Sequence, residues 1–394
     1  MGGRAATHLA DAIAERGATA FVHVGDRNDA TLRYLAGPAL PDRPSAYVRT
    51  ATGERVLCPP PGAANAAREA FDGEIASADS LGASAPGERA AAVLDARGAD
   101  GDETAKAVLT TAAIPHAAAL YLERAGYDVA STDALAAARA LKTEAEIERL
   151  RAVQTAATTG VRRAETLLAD ASRDGDGRTL VHGGEPLTTG RLRRAVNAAL
   201  AGAGVEPAGN TLVAAGATWR DPAREGDPVP IAAGDPVLVD LAPRDATGYH
   251  GRLARTFVVD TEGGWDRRAH LAATRAREAG LAELEAGTPA SRVHEETAAE
   301  IVAYGFDAAG DTRTNGSRGS RALGHGVGLE RREGPSLTAT SDLAAGHVVA
   351  LAPTVFDAAE GGGVRIADTA VVTTDGYELL ADYSTTLSPT AEPQ

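Results

Sequence analysis

The sequence predicts two domains: an α/β domain over residues 1–140 and a domain of paired helices and hairpins over residues 141–386, with residues 387–394 as a tail. Three observations carry this. Helical and strand-like stretches alternate as far as Ala140. Thr143 and Glu146 have the Thr-x-x-Glu spacing of a capping box, which marks a helix start. A helix–helix–hairpin order then occurs twice, without visible identity between the two passes. At 394 residues, 44% of them hydrophobic, the chain is long enough to bury two cores.

In chain order, Ala10 to Arg16 reads as helix and the apolar run Ala20 to Val24 as a short strand. Ser45 to Arg49 and Arg55 to Cys58 read as two strands joined by a turn at Thr52 and Gly53. Helical stretches are expected at Ala63 to Phe71, Pro115 to Ala125 and Asp133 to Ala140. Gly, Ser, Asp and Pro punctuate Ala76 to Asp102. Beyond the boundary, Ile147, Leu150, Val153, Ala157, Val161, Ala164 and Leu168 recur every three or four residues, one face of a long helix. Pro236 to Leu241 and Tyr249 to Val259 are strand-like runs separated by Gly and Asp, a hairpin signal. Arg267 to Phe306 reads as mostly helical. A Gly/Ser/Arg loop follows, then two late strands, Val348 to Leu351 and Val364 to Val372.

The composition excludes several classes of function. A net charge of −15 argues against nucleic acid and anionic membranes, which attract basic patches. No apolar run approaches the ~20 residues of a membrane-spanning helix. The amino-terminal stretch lacks a signal-peptide layout, and a cytoplasmic protein is expected. The one cysteine, Cys58, says nothing firm about redox compartment. Arginine supplies nearly all the positive charge, Lys106 and Lys142 being the only lysines. An acidic, lysine-poor, alanine-rich chain suits a halophile's cytoplasm, where salt screens self-repulsion; GC-rich codon bias is the alternative.

From Leu141 onward the sequence resembles the pita-bread metallopeptidase family of aminopeptidase P, prolidase, methionine aminopeptidase and creatinase. The matching segments stand in the family's order: LKTEAEIERLR (Leu141 to Arg151), AGDPVLVDLAPRDATGYHGRLARTFVV (Ala233 to Val259), GHGVGLERREGP (Gly324 to Pro335), LAAGHVVALAP (Leu343 to Pro353) and GVRIADTAVVTTDGYELL (Gly363 to Leu380). RNDATLRYLAGP (Arg27 to Pro38) resembles part of a creatinase-type N-domain. The resemblance implies an α/β creatinase-type N-terminal domain and an α+β pita-bread C-terminal domain with a curved, mainly antiparallel sheet covered by helices. It also implies a homodimer.

Active members hold two divalent cations with two Asp, one His and two Glu, and a bridging water attacks the peptide carbonyl. Oxygen-rich ligands with one imidazole suit Mn, Co or Zn. Carried over motif by motif, Asp240 and His325 keep the first Asp and the His positions, whereas Arg252, Ala352 and Ala367 stand at the second Asp and both Glu positions. The family's histidine that binds substrate or shuttles protons after the His motif is replaced by Arg332, and another, after Pro222, by Ala223. No metal is therefore expected. Arg252 is expected either to pair with Asp240 or to swing to solvent.

The pocket residues to follow are Asp240, His250, Arg252, His325, Arg332 and Arg365. His325 is either a base or a retained scaffold histidine. Asp240, His250 and His325 could form a mononuclear site, since His250 and Arg252 would share one face of a strand. Glu330 and Glu333 read either as acid or base groups or as solvated or salt-bridged partners of Arg331 and Arg332, and His347 as a surface residue. His8, His23, His116, His182, His270 and His294 show no metal spacing.

Three functions are weighed. The first is a metal-free pseudo-peptidase that binds a peptide, a small anion or a protein. The second is an active Xaa-Pro aminopeptidase or prolidase with a rearranged site. The third is a metal-independent, creatinase-like hydrolase, against which Ala223 counts.

Overall fold

The computed structural model describes residues 3–97, 106–220, 228–307, 323–357 and 359–391. The chain divides into two compact units, Met1–Arg139 and Ala140–Gln394.

In the first unit a six-stranded sheet runs in the order Glu74–Ile75, Arg55–Cys58, Ser45–Thr50, Ala20–Gly25, Ala107–Thr110, Asp128–Ser131. Strand side chains alternate between faces, so neighbouring residues feed different cores. Phe21, Tyr47, Leu57 and Leu109 point to one face, where they meet Leu9, Ile13, Leu32, Leu35 and Leu135 from the helices Gly3–Arg16, Ala30–Ala36 and Ala134–Ala140. Val22, Val24, Val48, Val56 and Val108 point to the other, against Val93, Leu94 and Leu122 of Pro86–Ala96 and His116–Arg124. Helices on both faces of one sheet make this an α/β unit.

Two parts of this unit differ from the sequence expectation. Within Ala76 to Asp102, where no element was assigned, Pro86–Ala96 is a helix with Pro in its first turn and Glu88 accepting from the Ala85 N–H. Its buried face mixes Gly87 and Arg89 with Ala90, Ala91, Val93 and Leu94, which gives little hydropathy contrast. The strands Ala107–Thr110 and Asp128–Ser131 are short and were not visible as periodic runs.

The second unit repeats one arrangement. Glu144–Ala169 opens with the Thr143/Glu146 capping box; the Glu146 carboxylate accepts from the Thr143 N–H at 2.8 Å. It packs with Thr189–Gly202 on an antiparallel sheet of Leu212–Ala215, Pro236–Leu241 and Leu253–Val258. Gly160 allows this close contact: a Cβ there would lie 2.8 Å from Leu241 Cδ1 and 2.9 Å from Leu200 Cδ2. The second pass places Trp265–Ala282 and Ala290–Ala303 over an antiparallel sheet ordered Glu333–Ser336, Gly324–Gly326, Val348–Leu351, Asp368–Thr373, Gly376–Leu379. Ala254 and Ala367 exchange backbone hydrogen bonds of 3.1 and 3.0 Å and join the two sheets at one point.

Two expected strands need correction. Val364 to Val372 is not continuous: Gly362–Arg365 pairs with Thr354–Asp357, while Asp368–Thr373 belongs to the five-stranded sheet. The break falls at Ile366 and Ala367, where the backbone leaves one sheet to meet Ala254. The second hairpin strand starts at Leu253, not Tyr249, because residues 245–250 form a turn closed by the Asp245 carboxylate.

Among the described residues, no helix is long and apolar enough to cross a membrane.

Candidate functional site

The sheet junction gathers four of the residues singled out from sequence. In the hairpin register Asp240 faces Ala254, so Arg252, two residues earlier, flanks Asp240 diagonally. The Arg252 guanidinium donates to Asp240 Oδ2 through Nη2 at 3.1 Å. Arg365 ends Gly362–Arg365 and donates to the same oxygen through Nη1 at 2.8 Å. Its Nε donates to Thr354 Oγ1 at 2.9 Å, and its backbone N–H to Thr256 Oγ1 at 2.9 Å.

His325 closes the cluster from the second sheet. Arg252 Nη1 lies 2.7 Å from His325 Nε2. A guanidinium can only donate, so Nε2 must carry the lone pair. The ring proton then sits on Nδ1, which donates to Gly326 O at 2.9 Å. Burial pushes the His325 pKa down to about 4, reinforced by the positive charges of Arg252, Arg332 and Arg331. His325 is therefore neutral at neutral pH. Asp240 behaves oppositely: burial opposes its ionisation, but Arg252 and Arg365 outweigh that and hold it below the usual carboxylate range. One carboxylate against two guanidiniums and a neutral imidazole leaves the cluster with a net single positive charge.

The backbone of Arg252 is gripped separately. Gln154, fully buried on the long helix, donates to Arg252 O at 2.8 Å and accepts from Arg252 N at 2.9 Å. Thr369 Oγ1 donates to the same carbonyl at 2.9 Å. Gln154, Thr354 and Thr369 were not anticipated from sequence. The available signal was Gln154, one of three polar residues, with Thr158 and Glu165, on the mainly apolar buried face of the helix.

The remaining positions lie elsewhere or carry no donor. Ala352 and Ala367 pack with Ala214, Trp219, Leu238 and Ala254 in an apolar cluster. His250 is buried, its backbone donates to Gly328 O at 2.8 Å, and it precedes the strand, so the expected shared strand face with Arg252 is absent. Among the described residues no three His, Cys, Asp or Glu side chains come together to hold an ion, so Asp240, His250 and His325 do not form a mononuclear set. Arg332 is exposed, and its positive charge helps to lower the His325 pKa. Pro222 and Ala223 fall outside the described residues.

Two further expectations are corrected. Glu333 is not solvated: its Oε1 accepts from Lys142 Nζ at 2.7 Å, with both side chains almost entirely buried. His347 is buried rather than at the surface, because its ring closes a turn by accepting from the Ala344 N–H at 3.0 Å. Burial and Lys142 push its pKa down to about 4.

A second arginine cluster is structural. Asp368 takes Arg255 Nη2 on Oδ1 at 2.8 Å and Arg277 Nε on Oδ2 at 2.5 Å. Arg255 also donates to the carbonyls of Ala254, Ala367, Tyr383 and Ser384, which ties the hairpin to the carboxy-terminal segment.

Comparison with known proteins places this architecture. The profile of metallopeptidase family M24 matches residues 148–374, more than half of the chain. A curated Xaa-Pro dipeptidase of Pyrococcus furiosus is 28% identical over 177 residues, 44% of this chain and 48% of that protein. A Bacillus subtilis protein named uncharacterized peptidase YqhT is 28% identical over 152 residues, 38% of this chain and 40% of its own length. The chain thus spans about half the length of the curated relatives it matches. The prolidase structure from Pyrococcus horikoshii superposes with a TM-score of 0.80 at 20% identity, covering 97% of this chain and 99% of that one. The Xaa-Pro dipeptidase structure from Bacillus anthracis gives 0.81 at 18% identity, covering 98% of each chain. The fold is that of a prolidase-type protein, an N-terminal α/β domain followed by a pita-bread domain. The chain belongs to metallopeptidase family M24.

Proposed function

We propose that this chain is a metal-free member of its family that binds a peptide, a small anion or a protein segment at the arginine-rich junction without hydrolysing it. One observation carries the reading: Arg252 donates to both Asp240 and His325. These are the two positions at which the family resemblance retains a ligand, and both are already engaged by a cation. The positions of the remaining three ligands hold Arg252 itself and two alanines.

The donor set does not fit a pair of divalent ions. One carboxylate opposes the charge, and the lone pair of His325 faces a guanidinium. A dication about 4 Å from a guanidinium is repelled by about 8 kcal/mol at an effective dielectric near 20. No hydrolytic step through a metal-bound water is derived for this site. The net positive charge instead favours an anionic group such as a carboxylate. A salt-adapted cytoplasmic homodimer belongs to the same reading, supported by the family resemblance and the acidic, lysine-poor composition.

The relatives named Xaa-Pro dipeptidase favour the competing reading of an active peptidase. Metal analysis of the purified protein decides between them, together with hydrolysis of Xaa-Pro dipeptides in added Mn, Co or Zn. The expected result is no stoichiometric metal, no hydrolysis, and a thermal shift with small carboxylates or phosphate but not with divalent cations. Two equivalents of bound metal accompanied by dipeptide cleavage would overturn the proposal.

A further inference from the structure

We infer that Arg252 is a tethered cation filling an acceptor site that would otherwise take a free one, and that its guanidinium links the two sheets of the carboxy-terminal unit. The inference rests on the metal-free reading of this site. Asp240 belongs to the first sheet and His325 to the second. Arg252 offers one Nη to each, at 3.1 and 2.7 Å. Its side chain is 13% exposed and that of Asp240 10%, so water competes weakly for these contacts. The acceptors are spaced for a planar, forked donor, which suits guanidinium better than a compact ammonium. Ala352 and Ala367, at the other two carried-over ligand positions, supply no side-chain acceptor.

The backbone grip makes the idea testable. Gln154 and Thr369 bind the N–H and C=O of residue 252 and make no use of its side chain. Arg252→Ala should therefore keep the chain path and open a cavity with a carboxylate on one side and an imidazole lone pair on the other. Such a cavity should bind a small planar cation, as apolar cavities bind small apolar molecules.

The experiment follows thermal unfolding of wild type, Arg252→Ala, Arg252→Lys and the double variant Asp240→Asn/Arg252→Ala, with methylguanidinium, tetramethylammonium or Mn at millimolar concentration. Arg252→Ala should lose about 10 °C in Tm. Methylguanidinium at tenfold its Kd should restore about 4 °C, and tetramethylammonium should restore none. Wild type and the double variant should not respond. If Arg252→Ala does not fold, Arg252→Lys keeps the question open to test: it should fold with a lowered Tm, since a lysine reaches one acceptor but not both. An Arg252→Ala protein as stable as wild type, one unresponsive to methylguanidinium, or a lysine variant of full stability would each overturn the inference. Those outcomes leave the metal content of wild type untouched, so the inference can fail while the metal-free reading stands. Metal found in wild type would remove both.

Discussion

Replacing Asp240 by Asn tests the charge balance of the junction most directly. The amide keeps the shape of the carboxylate and removes its charge. In the native site Asp240 Oδ2 accepts from Arg365 at 2.8 Å and from Arg252 at 3.1 Å, with all three side chains largely out of water. Charge centres about 4 Å apart attract by about 4 kcal/mol at an effective dielectric near 20, so the two contacts sum to about 8 kcal/mol before desolvation is subtracted. Desolvation of the carboxylate offsets much of this, and removal of one partner of a buried ion pair typically costs 3–5 kcal/mol. The same loss leaves two neighbouring guanidiniums without a counter-charge. Asp240→Asn should therefore destabilise the protein by about 4 kcal/mol, or about 10 °C in Tm. Urea unfolding at pH 7.5 reads the loss, repeated with EDTA to show that it does not pass through a metal. A change below about 0.5 kcal/mol would refute the reasoning, because it would mean that Arg252 and Arg365 do not depend on Asp240.

Acid should weaken the fold through two histidines. His325 and His347 have pKa values of about 4 in the folded protein, below the ordinary value of 6.5. The folded state therefore binds fewer protons than the unfolded chain between these values, and stability is full above about pH 6.5 and falls as pH drops towards 4, by about 3 kcal/mol for each histidine. Urea midpoints at pH 7.5 and 4.5 measure this, and His347→Gln should flatten its share. Lys142→Ala should cost 3–5 kcal/mol by removing the buried cation that faces the Glu333 carboxylate, whereas Lys142→Met/Glu333→Leu should recover most of it; a double variant as weak as the single one would count against the pair. Gly160→Ala should cost about 1–3 kcal/mol, because its Cβ would meet Leu241 and Leu200; unchanged chemical unfolding would show that the helix–sheet contact can relax.

Some elements were readable from sequence because a local signal carried them. Pro236–Leu241 is an apolar run rich in β-branched residues, and Thr143/Glu146 form a cap within one turn. Arg252 beside Asp240 follows from the register of that hairpin. Features set by distant contacts were not readable. The Lys142–Glu333 pair joins residues far apart in sequence, and nothing near either one names the other. The break at Ile366 and Ala367 hides inside one strand-like run, since burial continues from one strand through the junction into the next. Pro86–Ala96 buries Gly87 and Arg89 beside Ala90, Ala91, Val93 and Leu94, so its amphipathic pattern is faint. Arg365 could be placed in the pocket by motif, but its sharing of one carboxylate oxygen with Arg252 depends on the turn between two sheets.

The hold on residue 252 is indifferent to what that residue carries. An amide on the long helix and one hydroxyl read only its peptide groups. Chemistry at this position is thereby uncoupled from architecture, so an acid and a guanidinium are interchangeable there as far as the chain path is concerned. A scaffold with such a grip lets a single codon reverse the sign of charge at its centre while its neighbours remain where they were.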